Sequence, residues 1–146
     1  MTQYASLDDL LEQDPTIQDY GILDWDAELI KSSNEINRVL KVRWYQAYQK
    51  RFPSIINVEF DPNKLLASQF TQATVYHALA YHICPKLTQF SGGEPDKFQQ
   101  MMQYYQGRFE HEMDLILREG VQYDLDGDST YEATERKPVN ALRLTR

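Results

Sequence analysis

The sequence has little cysteine and glycine and no long apolar run, and each shortage excludes a class of protein. Cys84 is the single cysteine in 146 residues, so we expect no internal disulfide and no dependence on an oxidising compartment. Six glycines are too few for several phosphate-cradling loops, and no Walker motif or nucleophile elbow is present. No apolar run approaches the roughly 20 residues of a membrane helix, and the N-terminus has no basic start and no apolar segment of a signal peptide. We therefore expect a protein made in the cytoplasm, without catalytic site, cofactor or membrane span.

The three histidines do not have the spacing of a metal site. His77 and His82 are five residues apart on a predicted helix, which points their side chains in different directions, whereas ligand pairs on a helix are three or four apart. His77 shares an apolar helical stripe and is predicted to be a satisfied interior residue. His111 is followed by Glu112 but lacks the second histidine of a metalloprotease helix. The sequence therefore predicts no zinc site.

Charge is distributed unevenly along the chain. The net charge of −7 argues against general nucleic-acid binding, because neutralising phosphates needs a basic surface. Residues 1–30 contain acids and no lysine or arginine, whereas residues 136–146 contain basic residues and no acid. This asymmetry suits head-to-tail contact between copies, or contact with an oppositely charged partner. The alternative is a solvated surface with a loose tail.

Hydrophobic periodicity predicts a mainly α-helical protein: a small bundle of three main helices and a short N-terminal helix, with an extended C-terminal tail. The short helix follows Ser6, and the first long helix runs from Asp24 to about Arg51. The second starts at Asp61-Pro62 and continues to about Cys84, apolar on more than one side, as in the central helix of a bundle. The third starts near Glu94-Pro95-Asp96 and is capped by Gly120, with one apolar stripe: Phe98, Met102, Tyr105, Phe109, Met113 and Ile116.

Three local features carry further expectations. Residues 55–60 are rich in β-branched residues and are predicted to form an extended linker or a strand. Pro85 is predicted to stop or kink the second helix. In the pairs Trp44-Tyr45 and Tyr104-Tyr105, one ring is expected to face the core and the other to face outward. Exposed rings of this kind favour protein interfaces, although isolated exposed rings are also normal.

The chain divides into a helical body, residues 1–120, and a segment of different character, residues 121–146, made of an acidic turn and a basic extended arm. The arm ends in an alternation of Leu142 and Leu144 with Arg143 and Thr145, which suits a half-buried strand. Such a strand has no neighbour in sequence, so it is expected to pair with an edge on another subunit. A disordered tail is the alternative.

The acidic turn, residues 124–135, resembles a twelve-residue calcium loop. Acids fall at positions one, three, five, nine and twelve, an alternation of the hard oxygen ligands that calcium prefers. Gly127 lies two places before position six, where Ser129 stands, and no helix is predicted to follow. The alternative is an exposed Asp-Gly turn. The calcium candidates are Asp124, Asp126, Asp128 and Glu135.

Three helical segments follow one another in a distinctive order. Residues 26–40 have the pattern D-x-E-L-I-x-x-S-x-E-I-x-x-x-L, residues 72–84 form an Ala/Tyr/His-rich helix, and a Tyr-rich helix ends in I-L-R-E-G at residues 116–120. A short acidic helix precedes these segments and a non-helical tail follows them. In this order of segments the chain resembles the head–tail connector (adaptor) proteins of tailed bacteriophages. The resemblance covers roughly residues 6–120 and rests on the combination of segments.

The resemblance implies a non-enzymatic virion protein of the neck, made in the host cytoplasm. Such proteins form a homo-oligomeric ring, commonly of about twelve copies, between the capsid portal and the next neck or tail protein. The ring extends the channel through which DNA passes without specific binding, and the acid-rich first helix would face the neighbouring subunit or the channel. Another neck or tail-completion protein is an alternative. The C-terminal arm would dock on the portal protein, with Leu142 and Leu144 as apolar anchors, through Arg136, Lys137, Val139, Leu142, Arg143, Leu144 and Arg146.

Overall fold

The computed structural model of the protein describes residues 3–88 and 97–125, and these form a bundle of four helices. Helix α1 is Leu7–Gln13, α2 spans residues 26–51, α3 spans residues 71–87 and α4 is Lys97–Glu119. The predicted mainly helical bundle, with three main helices and a short N-terminal one, is confirmed, and the described ranges contain no β-strand. None of the helices in these ranges is both long enough and apolar enough to cross a membrane.

Helix α1 begins where a local capping motif predicts it. The Ser6 hydroxyl accepts a hydrogen bond from the Asp9 backbone N–H, and the Asp9 carboxylate accepts one from the Ser6 N–H at 2.8 Å. After α1, a 3₁₀ turn at Ile17–Tyr20 ends at Gly21, which has a φ of 96°. This left-handed conformation is available to glycine without a Cβ clash and turns the chain toward α2.

Helix α3 is the centre of the bundle, as its apolar composition predicts. All its residues from Ala73 to Ala80 are buried, and it contacts α1, α2 and α4. Helix α2 packs against α3, and its residues Leu29 and Ile36 are each fully buried. Helix α4 presents four buried residues of its predicted stripe, Tyr105, Phe109, Met113 and Ile116, whereas Phe98 and Met102 are half-buried near its start.

Helices α2 and α3 each contain a π turn, in which backbone hydrogen bonds link residues five apart. The π turn of α2 is Lys41–Tyr45 and that of α3 is Leu79–Ile83. Pro85 was predicted to stop or kink the helix, and of these the stop is wrong, because α3 continues to Leu87. The helix is instead irregular at the turn that lies before the proline. Pro85 has no N–H to donate and would crowd the carbonyl four residues earlier, so a widened turn there accommodates it.

The start predicted for α3 is also wrong. The Asp61 carboxylate does accept a hydrogen bond from the Asn63 N–H, but only the short 3₁₀ turn Pro62–Lys64 follows. Leu65 and Leu66 are then extended, because Leu66 N–H donates to the Gln122 carbonyl at 3.1 Å, and Leu65 forms an isolated bridge with Tyr123. Helix α3 therefore starts at residue 71, after a second 3₁₀ turn at Ala67–Phe70.

Residues 55–60 form turns and irregular backbone, so the predicted strand is wrong. In place of a partner strand, side chains of α2 donate hydrogen bonds to the backbone carbonyls of this segment. The Tyr45 hydroxyl donates to Val58 O at 2.9 Å, and the Gln49 amide donates to Ile55 O and Val58 O, each at 3.0 Å. This returning loop covers the outer side of α2.

The loop over the outer side of α2 explains why both rings of the pair Trp44-Tyr45 are buried. Trp44 and Tyr45 are both buried, at 1% and 4% exposure, so the prediction that one faces outward is wrong. Their rings belong to a cluster in which Phe60 lies 5.1 Å from Tyr45 and Tyr123 lies 5.4 Å from Trp44. In the other pair the prediction is confirmed, since Tyr105 is buried and its neighbour is 59% exposed.

The packed body continues past α4. Gly120 ends the helix with a φ of 105°, and its N–H donates to Ile116 O at 3.0 Å, as predicted for the C-terminal cap. Val121 and Tyr123 are then buried at 1% and 2% exposure, so the core extends beyond residue 120. The basic arm and most of the acidic turn, residues 126–146, lie outside the described residues, as does the predicted start of the third long helix at residues 94–96.

Candidate functional site

The π turn of α3 brings His77 and His82 onto the same side of the helix. In a regular α-helix, residues five apart point roughly 140° away from each other. The π turn Leu79–Ile83, in which backbone hydrogen bonds link residues five apart, begins two residues after His77 and contains His82. It changes the angular spacing along the helix, and the two ring centroids lie 5.5 Å apart. The expectation that their spacing separates them is therefore wrong.

Glu35 of α2 faces both histidines across the helix interface. Its Oε2 lies 2.9 Å from His77 Nε2, and its Oε1 lies 3.3 Å from His82 Nε2. The potential ligand atoms of these three residues all lie within 4.8 Å of one another. We call Glu35, His77 and His82 the α2–α3 cluster.

The α2–α3 cluster runs from the interior to the surface. The side chain of His77 is 7% exposed, that of His82 is 18% exposed and that of Glu35 is 43% exposed. The other ring nitrogen of His77, Nδ1, lies 2.9 Å from the hydroxyl of Ser32, which is fully buried. Ser32 and Glu35 occupy the same face of α2, since they are three residues apart. Helix α2 therefore orients the His77 ring from both sides.

Burial lowers the pKa of His77 to about 4, and the neighbouring His82 adds to this effect. The Glu35 carboxylate at 2.9 Å acts in the opposite direction, since it favours the protonated ring. Desolvation prevails because the carboxylate is partly solvated and its field is screened, whereas the imidazole is buried. His77 is therefore neutral near pH 7, which leaves one of its ring nitrogens able to donate an electron pair.

Aromatic rings of α4 and of α3 itself pack against His77. Phe109 meets the imidazole edge-on at 4.9 Å, and Tyr81 lies 4.6 Å away. A surface cleft of about 530 Å³ is lined by Glu35, His77 and Arg43, and Arg43 lies 3.7 Å from Glu110. The cluster thus packs against aromatic rings and also borders a cleft open to solvent.

Comparisons with known proteins add no relative from which this cluster could be interpreted. No family model matches the chain, and neither the curated proteins nor the solved structures contain a match. The geometry of the chain itself is therefore the basis for interpretation.

Of the calcium and docking-arm candidates singled out from the sequence, Asp124 alone falls among the described residues. Asp124 is 8% exposed and its N–H donates to Lys64 O at 2.8 Å, which places it at the edge of the body. The remaining calcium candidates and the whole docking arm lie outside the described residues: Asp126, Asp128, Glu135, Arg136, Lys137, Val139, Leu142, Arg143, Leu144 and Arg146. The sequence carried one signal for the cluster, Pro85, because a proline inside a helix disturbs the regular turn before it.

Proposed function

We propose that this protein is a non-enzymatic head-to-tail adaptor of a tailed bacteriophage. In this proposal a homo-oligomeric ring, commonly of about twelve copies, connects the capsid portal with the next neck or tail protein and extends the DNA channel. The order of helical segments supports it. The observation on which it rests most is the rigid attachment of the chain where it leaves the bundle toward residues 126–146.

That attachment is made by residues 120–124, which hydrogen bonds hold against the loop before α3. Besides the backbone bonds of Leu66 and Asp124, the Tyr123 hydroxyl accepts from the Asp61 N–H at 3.2 Å. The Gln69 side chain makes two hydrogen bonds with this segment: it donates one to Gly120 O at 3.0 Å and accepts one from Gln122 N–H at 2.9 Å. The C-terminal segment therefore starts from a defined point on the body, which lowers the entropy lost when an arm docks.

Charge complementarity gives the proposed arm a class of partner. The arm is basic over residues 136–146, so it suits an acidic groove on the portal or on a neighbouring copy. The N-terminal region of the body offers such acidic surface, and we propose that this surface faces the neighbouring subunit or the channel. Its exposed acids are Asp8, Glu12, Asp19, Asp24 and Asp26.

Removing residues 136–146 tests the proposal. The truncation leaves every described core residue in place, up to Tyr123 and Leu125, so we expect the truncated chain to keep its helical circular dichroism and its thermal midpoint. It should lose binding to the portal protein encoded beside it, measured by co-sedimentation and by electron microscopy of rings. Leu142→Asp should have the same effect, whereas Thr145→Asp adds the same charge on the opposite side of the alternation and should bind. A truncated chain that docks as the full chain does would show that the arm is wrongly assigned.

Another neck or tail-completion protein with a similar bundle is the alternative. The genes beside the reading frame distinguish the two: a portal or major capsid gene immediately upstream supports the adaptor. A neighbourhood of late tail genes would instead favour the tail-completion role.

A further inference from the structure

We propose that Glu35, His77 and His82 form a binding site for one divalent transition-metal ion, with zinc as the representative ion. This inference goes beyond the adaptor function and does not depend on it. It rests on three side chains from two helices whose donor atoms converge, on the orphaned nitrogen of one of them, and on access from the adjacent cleft.

The donor atoms are spaced as a metal ion requires. Bonds of about 2.0–2.1 Å in a tetrahedral zinc site place neighbouring ligand atoms roughly 3.3 Å apart. The two Glu35–histidine distances are 2.9 Å and 3.3 Å, and no two of the three ligand atoms are farther apart than 4.8 Å. The three donor atoms are therefore already close to the separations that one bound ion requires.

His82 Nε2 supplies an independent observation. This atom is buried and has no hydrogen-bond partner among the described residues. It lies 3.3 Å from Glu35 Oε1, a distance that suits an ion pair, but the two groups are not aligned for a hydrogen bond. A buried nitrogen left without a partner is unfavourable, and a metal ion between the two groups would satisfy it.

The residues around His77 prepare it as a ligand. With an ion bound, Nδ1–H would donate to the Ser32 hydroxyl, 2.9 Å away, and the Nε2 electron pair would be directed at the ion between His77 and Glu35. Partners of this kind around metal-bound histidines fix the ring orientation and the tautomer. The rings of Tyr81 and Phe109 restrict the imidazole further.

The chemistry of the donors selects the class of metal. Two imidazoles and one carboxylate suit zinc, cobalt and nickel, whereas calcium and magnesium prefer oxygen ligands alone. Three protein ligands leave a fourth position, which the cleft beside Glu35 and His77 leaves open to water. The competing explanation is a metal-free polar cluster that only joins α2 to α3.

Cobalt titration of the full-length, chelator-treated chain tests the site. We expect one Co²⁺ per chain with the visible absorption bands of a tetrahedral site, displaced by Zn²⁺ and not by excess Ca²⁺. Insensitivity to calcium separates this site from the acids of residues 124–135. His82→Gln and Glu35→Gln should each weaken binding at least about tenfold, and Ser32→Ala about 10–100-fold.

His111→Gln is the matched control, because it removes an exposed histidine of α4 outside the cluster. Its affinity should equal that of the wild type. The proposal is overturned if the wild type gives no tetrahedral bands, or if the bands persist in His82→Gln. Glu35 and His82 lie on different helices and both reach the surface, so if circular dichroism shows that one variant is unfolded, the other decides.

Discussion

The most informative perturbation of the body is Tyr123→Ala, because it tests whether residues 121–125 belong to the packed core. The Tyr123 ring is 2% exposed and lies 5.4 Å from Trp44, 5.5 Å from Tyr48 and 6.0 Å from Phe60. Replacing a buried aromatic residue by alanine removes this packing and leaves a cavity, which lowers the free energy of unfolding by about 3–5 kcal/mol. Tyr123→Phe removes only the hydroxyl that accepts from the Asp61 N–H, so we expect a loss of about 1 kcal/mol.

Urea unfolding followed by tryptophan fluorescence measures these losses, since Trp44 lies in the same aromatic cluster. Tyr104→Ala is the matched control: its ring is 59% exposed, so the free energy of unfolding should change by less than about 1 kcal/mol. If Tyr123→Ala is no more harmful than Tyr104→Ala, residues 121–125 are not part of the core. The rigid attachment on which the adaptor proposal rests would then be lost.

Further predictions concern pH, glycine and calcium. Burial raises the pKa of Tyr4 and Tyr123 above the ordinary value near 10, so the stability they contribute is complete below pH 10 and falls above it, by about 1.4 kcal/mol per pH unit and tyrosine. In urea unfolding between about pH 9 and 11, the free energy of unfolding should therefore fall less steeply with pH in Tyr123→Phe than in the wild type. Equal slopes would contradict this. Gly107 is exposed in the middle of α4 and has open space for a Cβ. Gly107→Ala should therefore raise the thermal midpoint and increase the free energy of unfolding by about 0.5–1 kcal/mol. Gly120→Ala should lower the thermal midpoint and reduce the free energy of unfolding by about 1 kcal/mol because of the positive φ. Two changes of the same sign would refute the argument. If the adaptor proposal holds and residues 124–135 bind no calcium, calorimetry with millimolar calcium should give no heat. Heat that Asp126→Asn abolishes would favour the alternative of a small calcium-responsive protein-binding module.

Features governed by neighbours in sequence were predictable without the tertiary structure. The Ser6–Asp9 capping box and the Gly120 cap depend on a few adjacent residues, and both form as predicted. The stripe of α4 follows from the 3.6-residue period, because a helix must turn its apolar side toward the core. The bundle class and the central place of α3 follow from the same periodicity.

Features governed by contacts between distant residues were not predictable in this way. Leu65 and Leu66 are extended because they pair with the backbone of Gln122 and Tyr123, which follow α4 in the sequence. Tyr45 is buried because a later loop folds back over it. In both cases local propensity gave way to hydrogen bonds and packing that exist only once the chain has folded.

The α2–α3 cluster shows the same division most clearly. Sequence alone determined that His77 lies on the buried side of a helix, because burial follows the apolar period. The tertiary structure alone decided that His82 joins it and that Glu35 faces both, because a π turn changes the angular spacing and only the packing of α2 on α3 brings the carboxylate within 2.9 Å. Periodicity counts residues along one regular helix, whereas this cluster depends on an irregular turn and on the contact between two helices.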